Sequence, residues 1–211
     1  MAARPFGRGV PTDAMLVRRA RAKRGGAGPT GTGRSAAREA FDELVERYQR
    51  RATSIAYRLL GNVHDALEVC QEAFVRAYCH LDTLGDANRF GPWLLKIVTN
   101  LSLNFRRARG PRLAIENGRW DDGPGWEAAV SDQPNGPAQP GTRLAAAELA
   151  ERIRRELTAL TEQQRTALVL FGIEELPQKQ VAQIMGCSVE AVKWHVFQAR
   201  RKLKIRLADY L

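Results

Sequence analysis

The residues of this chain best suited to chemistry are cations, amides and aromatics gathered in one C-terminal run, not a set of acids, bases and nucleophiles. From Gln178 the sequence runs QKQVAQIMGCSVEAVKWHVFQARRKL. Ala182 is a small residue in a first helical segment, Gly186 follows where a turn needs positive φ, and Val192 returns from a second segment. That is helix-turn-helix spacing. Ser188 stands where it can cap the second helix, with Glu190 in its first turn. Val181, Ile184, Met185, Val189, Val192 and Val196 supply the core side. The opposite side offers Lys193, Trp194, His195 and Gln198, then Arg200, Arg201, Lys202, Lys204 and Arg206, a basic run that a major groove could receive. The competing reading is an ordinary helical hairpin whose basic end is solvated and favoured by the helix dipole.

Other chemistries lack their parts. His64, His80 and His195 stand far apart in sequence, and there is no Gly-rich phosphate loop and no nucleophile beside a base. Cys70, Cys79 and Cys187 are odd in number and lack C-x-x-C spacing, so we expect reduced, mostly core thiols and neither disulfides nor a zinc site. No enzyme activity, cofactor, metal or small-molecule substrate is expected. No apolar run approaches a membrane span, and arginines interrupt every short hydrophobic stretch near the N-terminus, so membrane insertion and a signal peptide are not expected and the location expected is cytoplasmic.

The elements that must position these residues follow from periodicity. From Ser35, Phe41, Leu44, Val45, Tyr48, Ala52, Ile55, Ala56 and Leu59 recur three and four apart up to Gly61, one amphipathic helix. A second helix is expected from about His64 to Leu81, with an apolar face of Leu67, Cys70, Ala73, Phe74, Ala77 and Tyr78. A third begins at Gly91-Pro92 and runs through Trp93, Leu94, Ile97, Val98, Leu101 and Phe105 to an Arg106–Gly110 stop. Further on, a helix from about Thr142 to Ala159 precedes Thr161-Glu162-Gln163-Gln164, a capping box that opens another helix ending at Gly172. No segment alternates as a strand does, so the fold class is all-α, two helical domains at 35–110 and 142–211. The Pro/Gly-rich stretch 111–141 reads as a flexible linker. Residues 1–34, rich in Gly, Arg, Ala and Pro, read as a disordered basic extension.

Net charge is +10, yet residues 1–34 hold eight Lys/Arg against one acid and dominate that total. Charge alone is therefore a weak argument for a nucleic-acid partner, and local patterning must carry it.

That patterning resembles a known family. LTALTEQQRTALVLFGIEELPQKQVAQIMGCSVEAVKWHVFQARRKL closely resembles region 4 of the extracytoplasmic-function (ECF) sigma factors, the domain that reads the minus-35 promoter element. FDELVERYQRRATSIAYRLLGNVHDALEVCQEAFVRAY resembles the first two helices of sigma region 2, and FGPWLLKIVTNLSLNFRRARG its promoter-melting helix. The resemblance implies a protein that binds core RNA polymerase, at the beta-prime clamp helices and the beta flap, and directs promoter DNA recognition, melting and initiation. It also implies an anti-sigma partner. Asp65, Glu68, Gln71 and Glu72 fall where the family docks on the clamp, a solvated helix face being the alternative. Arg89, Phe90, Trp93, Lys96, Asn100 and Asn104 fall where it contacts the minus-10 element, and the loop from Leu81 to Asn88 resembles the part that captures a flipped base. Trp93 also belongs to an apolar stripe with Ile97 and Leu101, so it reads as core or as wedge. Ser188, Glu190, Lys193, Trp194, His195, Gln198, Arg200 and Arg201 take the minus-35 role. Because Trp194 and His195 replace the polar residues common there, and Asn104 stands where an acid is common, the promoter preference does not transfer. His195 reads equally as a groove contact or as a passive surface residue. The rival function is a helix-turn-helix regulator that binds its operator without polymerase.

Overall fold

A computed structural model describes residues 10–22, 32–109, 152, 155–157 and 159–208. All its regular elements are helical: α1 (Asp13–Arg21), α2 (Thr32–Leu60), α3 (Val63–Cys79), α4 (Phe90–Arg109), α5 (Glu162–Ala167), α6 (Gln178–Met185) and α7 (Val189–Arg206). Two 3-10 turns, Leu81–Thr83 and Ala87–Arg89, join α3 to α4, and a π-helical turn, Leu168–Ile173, continues α5. Among the described residues there is no strand, in keeping with the all-α expectation. The expected linker and most of the helix expected from Thr142 lie outside the described residues, although 155–157 are helical.

α1 is a correction to the reading of residues 1–34 as disordered. Thr12 caps it, its Oγ1 accepting from the Met15 N–H at 3.3 Å, and Asp13 occupies the first turn. Leu16 and Val17 are fully buried and Ala20 nearly so, a short stripe whose two large members contribute about 1.5–3 kcal/mol each on burial. Composition averaged over the whole extension hides that stripe beneath the glycines and arginines around it.

α2, α3 and α4 pack side by side with Leu44, Ile55, Leu59, Phe90, Leu94, Leu95 and Val98 at the centre. Phe90 lies edge-on to Phe41 and Tyr48, its ring 5.4 Å from that of Tyr48, and is tilted against Trp93. Gly91 makes that arrangement possible, because a Cβ there would stand 2.6 Å from the Tyr48 hydroxyl. α4 therefore begins at Phe90, with Pro92 inside its first turn, where a missing N–H costs no hydrogen bond.

The apolar face of α3 is rotated from the one expected. Ala66, Val69, Cys70, Ala73 and Ala77 are buried, whereas Leu67 is 45% exposed and Tyr78 sits at the margin. Of the cysteines only Cys70 is buried; Cys79 is exposed and Cys187 is half-buried, which corrects the expectation of mostly core thiols. Burial pushes the Cys70 thiol up to about 11, so it stays protonated.

The C-terminal unit follows its local signals closely. Thr161 and Gln164 form the expected capping box. Gly186 ends α6 at φ 67°, ψ 36°, and a Cβ there would meet nothing within 4 Å. Its backbone angle, not space, therefore selects glycine at this turn. Ser188 caps α7 by accepting from the Ala191 N–H at 3.1 Å. Val181, Ile184, Val192 and Val196 are buried as expected, with Met185 and Val189 packed against them.

The two units touch. α6 lies on α4, and buried apolar residues of both form one continuous cluster. Polar contacts line the seam: the Glu174 carboxylate accepts from Ser54 Oγ at 2.6 Å and pairs with Arg51. Glu162 pairs with Arg106 at 3.0 Å and with Arg107, and Arg89 donates to Gln183.

Candidate nucleic-acid interface

α4 carries one exposed polar stripe. Lys96, Asn100 and Asn104 stand four residues apart on its solvent face, and Arg107 extends the stripe one turn further. At the N-terminal end of this face, Leu84, Gly85 and Asp86 of the preceding loop join Arg89, Pro92, Trp93 and Lys96 around a cavity of about 420 Å³. The opening is mostly apolar with two cations at its rim, and its size admits a nucleobase. Asp86 shapes the loop, its Oδ1 accepting from both the backbone N–H and the side-chain amide of Asn88 at 2.9 Å. These bonds hold its carboxyl below the usual carboxylate range.

Of the residues that the resemblance puts at the minus-10 element, Arg89, Trp93 and Lys96 meet at this cavity, and Asn100 and Asn104 continue outward from it. Phe90 does not belong to this surface. It is fully buried, so it supports the interface from within and cannot touch DNA. Trp93 is half-buried against Phe90 and forms a wall of the cavity.

The cavity's remaining wall comes from the other unit, through Gln183 and Ile184 of α6. Arg89 of the preceding turn and Arg106 and Arg107 of α4 are likewise engaged, by Gln183 and Glu162. Burial works against the charge on Glu162, but hydrogen bonds from Arg107 and Arg106 outweigh it and hold the carboxyl below the usual range. Beneath them Arg165 is buried, donating to the Leu157 carbonyl at 2.7 Å. Burial, aided by the Arg106 cation, lowers its pKa to about 10, so it remains charged at neutral pH.

On α7, Lys193, Trp194, Arg200 and Arg201 are exposed, as are Ser188 and Glu190 at its start, and Gln198 is half-buried. His195 is half-buried too, edge-on to Trp194 at 5.0 Å, with Nδ1 enclosed and without a hydrogen-bond partner among the described residues. Phe197, 61% exposed, joins Trp194 on this face. The sequence reading passed over it, although its spacing from Lys193 and Trp194 was the available signal. Lys202 is drawn inward to Gln164 Oε1 at 3.0 Å.

On α3, Glu68, Gln71 and Glu72 are exposed, Glu72 pairing with Arg76. Asp65 is not on that surface. Its side chain is 7% exposed and accepts from Arg109 at 2.6 Å, closing α3 against the end of α4. No group of His, Cys, Asp and Glu able to hold a metal occurs among the described residues, and none of their helices is long and apolar enough to cross a membrane.

Fold and surface together define a two-unit helical DNA-binding protein, with a helix-turn-helix behind a bundle that carries a base-sized cavity. Comparison with known proteins makes the class specific: the Sigma-70 region 2 pattern matches residues 44–112, and the Sigma-70, region 4 pattern matches 150–203. The chain is 31% identical over 173 residues to the ECF RNA polymerase sigma factor SigW of Bacillus subtilis, covering 81% of this chain and 90% of that protein. It is also 31% identical to the ECF RNA polymerase sigma-E factor of Escherichia coli K12, covering 78% and 85% respectively. Among solved structures, CnrH in complex with the cytosolic domain of CnrY superposes with a TM-score of 0.62 at 26% identity, over 94% of this chain and 99% of that one. The chain belongs to the ECF RNA polymerase sigma factors.

Proposed function

We propose that this sigma factor joins core RNA polymerase in the cytoplasm through the exposed Glu68, Gln71 and Glu72 face of α3, and opens promoter DNA at the α4 cavity. Arg89 and Lys96 hold phosphates there, Leu84 and Trp93 line the space for an extruded base, and Asn100 and Asn104 follow the single strand. Extrusion costs a few kcal/mol of stacking, which such a pocket and its flanking cations offset. α7 enters the minus-35 major groove with Lys193, Trp194 and Gln198 towards the bases and Arg200 and Arg201 towards phosphate, Ser188 and Glu190 setting its entry.

The observation that carries this reading is the meeting of Arg89, Trp93 and Lys96 around a base-sized cavity. Because Gln183 and Ile184 close its far side, DNA enters only when α6 leaves α4. Core polymerase, holding the units apart on the promoter, supplies that separation. An anti-sigma partner fits the same logic, and CnrH, one of the solved neighbours, is itself in complex with the cytosolic domain of CnrY.

The test is run-off transcription from genomic fragments with core polymerase, comparing wild type with Lys96→Ala/Asn100→Ala. Promoter-specific transcripts that need the wild-type face are expected. Tight, specific operator binding without polymerase would instead identify a stand-alone regulator.

A further inference from the structure

We infer that Arg21, the last residue of α1, is a positioning residue for promoter opening, setting the backbone of the loop that walls the base-sized cavity. The inference rests on the reading of that cavity as the site of base capture. Arg21 Nε and Nη2 donate to the Leu81 carbonyl at 3.0 and 2.7 Å, and Nη2 donates also to the Leu84 carbonyl. One planar guanidinium thus fixes two carbonyls three residues apart, in both separation and orientation, through charge-assisted bonds. Leu84 is itself a wall of the cavity, and Gly85, next to it, has no heavy atom within 4 Å of where a Cβ would stand. The segment is braced from the α1 side and is open at its tip.

The brace is itself anchored. Leu16 and Val17 bury α1 on the bundle. At its other end, Asp13 accepts from Arg47 at 2.9 Å and from the Tyr48 hydroxyl at 2.5 Å. Tyr48 in turn packs on Phe90, the first residue of α4. α1 therefore ties the start of the melting helix to the loop before it, so that the loop wall and the α4 wall of the cavity are set by one rigid piece. A site held in this way by packed supports keeps the geometry that capture needs. The loop carbonyls also follow the C-terminus of α3, where a cation is favoured in any case. A purely stabilising role is accordingly the competing account, and the test separates the two.

The holoenzyme is assembled from core polymerase with full-length wild type, Arg21→Gln or Arg21→Lys. Each is measured on fork-junction promoter DNA carrying an intact base or an abasic site at each minus-10 position in turn. Wild type is expected to prefer the intact base at one position. Arg21→Gln is expected to lose most of that preference and to slow open-complex formation about tenfold, the effect of losing bonds of this class, with binding to core within about twofold of wild type. Arg21→Lys, which keeps the charge but lacks the planar fork, falls between them and controls for folding. A base preference retained by Arg21→Gln, with only a lower melting temperature, reduces Arg21 to a stabilising contact and overturns the inference. No base preference in the wild type itself overturns the capture reading first, and the inference with it.

Discussion

Removing the charges that clasp the C-terminal unit to the bundle, by Glu162→Gln with Glu174→Gln, is expected to open the free protein. The Glu162 side chain is 28% exposed and its partners Arg106 and Arg107 are 19% and 62% exposed. After discounting for solvent screening, the Arg106 pair contributes about 1 kcal/mol and the Arg107 pair a few tenths. Glu174, 11% exposed, accepts from Ser54 and pairs with the 40%-exposed Arg51, which contributes about another 1 kcal/mol. Glutamine keeps the shape and loses the charge, so about 2 kcal/mol of clasp disappears, roughly a 30-fold shift towards the open form. The assay is energy transfer between dyes on α3 and α7, paired with anisotropy of a single-stranded minus-10 oligonucleotide on the free protein. Both readouts are expected to move together, and raised salt is expected to mimic the substitutions in the wild type.

Acid provides a second handle on the same contact. The carboxyl of Glu162 lies below its ordinary 4.5 in the folded chain, so its contribution is fully present above about 4.5 and is lost as pH falls through the lower folded value. Wild type therefore gains openness in acid that Glu162→Gln does not gain in that window. If the double variant leaves both energy transfer and oligonucleotide affinity unchanged at low salt, the charges contribute nothing and the apolar contact of α6 on α4 alone holds the units together.

The remaining expectations concern single sites. Gly91→Ala places a Cβ 2.6 Å from the Tyr48 hydroxyl and is expected to cost about 1–3 kcal/mol in denaturant melts, by overpacking. Gly186→Ala, with open space but φ 67°, is expected to cost about 1 kcal/mol, with Gly186→Asn milder; equal losses for alanine and asparagine would contradict the backbone argument. Asp65→Ala leaves Arg109 without its buried partner and is expected to lower thermal stability by about 1–3 kcal/mol. Glu68→Ala, at an exposed position, is expected to leave stability within about 0.5 kcal/mol and to weaken core binding in a pull-down titration. Arg201→Ala is expected to reduce the salt slope of promoter binding by about one, and an unchanged slope in filter binding removes Arg201 from the phosphate contacts.

What could be read from the sequence was what is local along the chain. The Thr161 capping box, the Gly186 turn and the Ser188 cap each rest on groups three or four residues apart, and each formed as read. The misplaced residues depend on what comes back from elsewhere. Asp65 shares a helical face with Glu68 and Glu72, so nothing in its own segment separates them. The difference is Arg109, which returns at the end of α4 to cover that turn. Phe90 adjoins Arg89, yet one step around the helix carries it from the surface into the cluster of Phe41 and Tyr48. α1 was lost for a related reason, since two large apolar residues form a stable helix only because α2 supplies the surface that buries them. The candidate site shows the same division: the cations and amides of α4 were legible as a pattern, but the loop that walls the cavity is bonded from the α1 side, Arg21 donating to the Leu81 and Leu84 carbonyls. α6 closes it from the other with Gln183 and Ile184. The residues proposed for recognition thus follow the periodicity of α4 and α7, whereas the proposed control of access rests on pairings such as Glu162 with Arg106, which only the fold brings together.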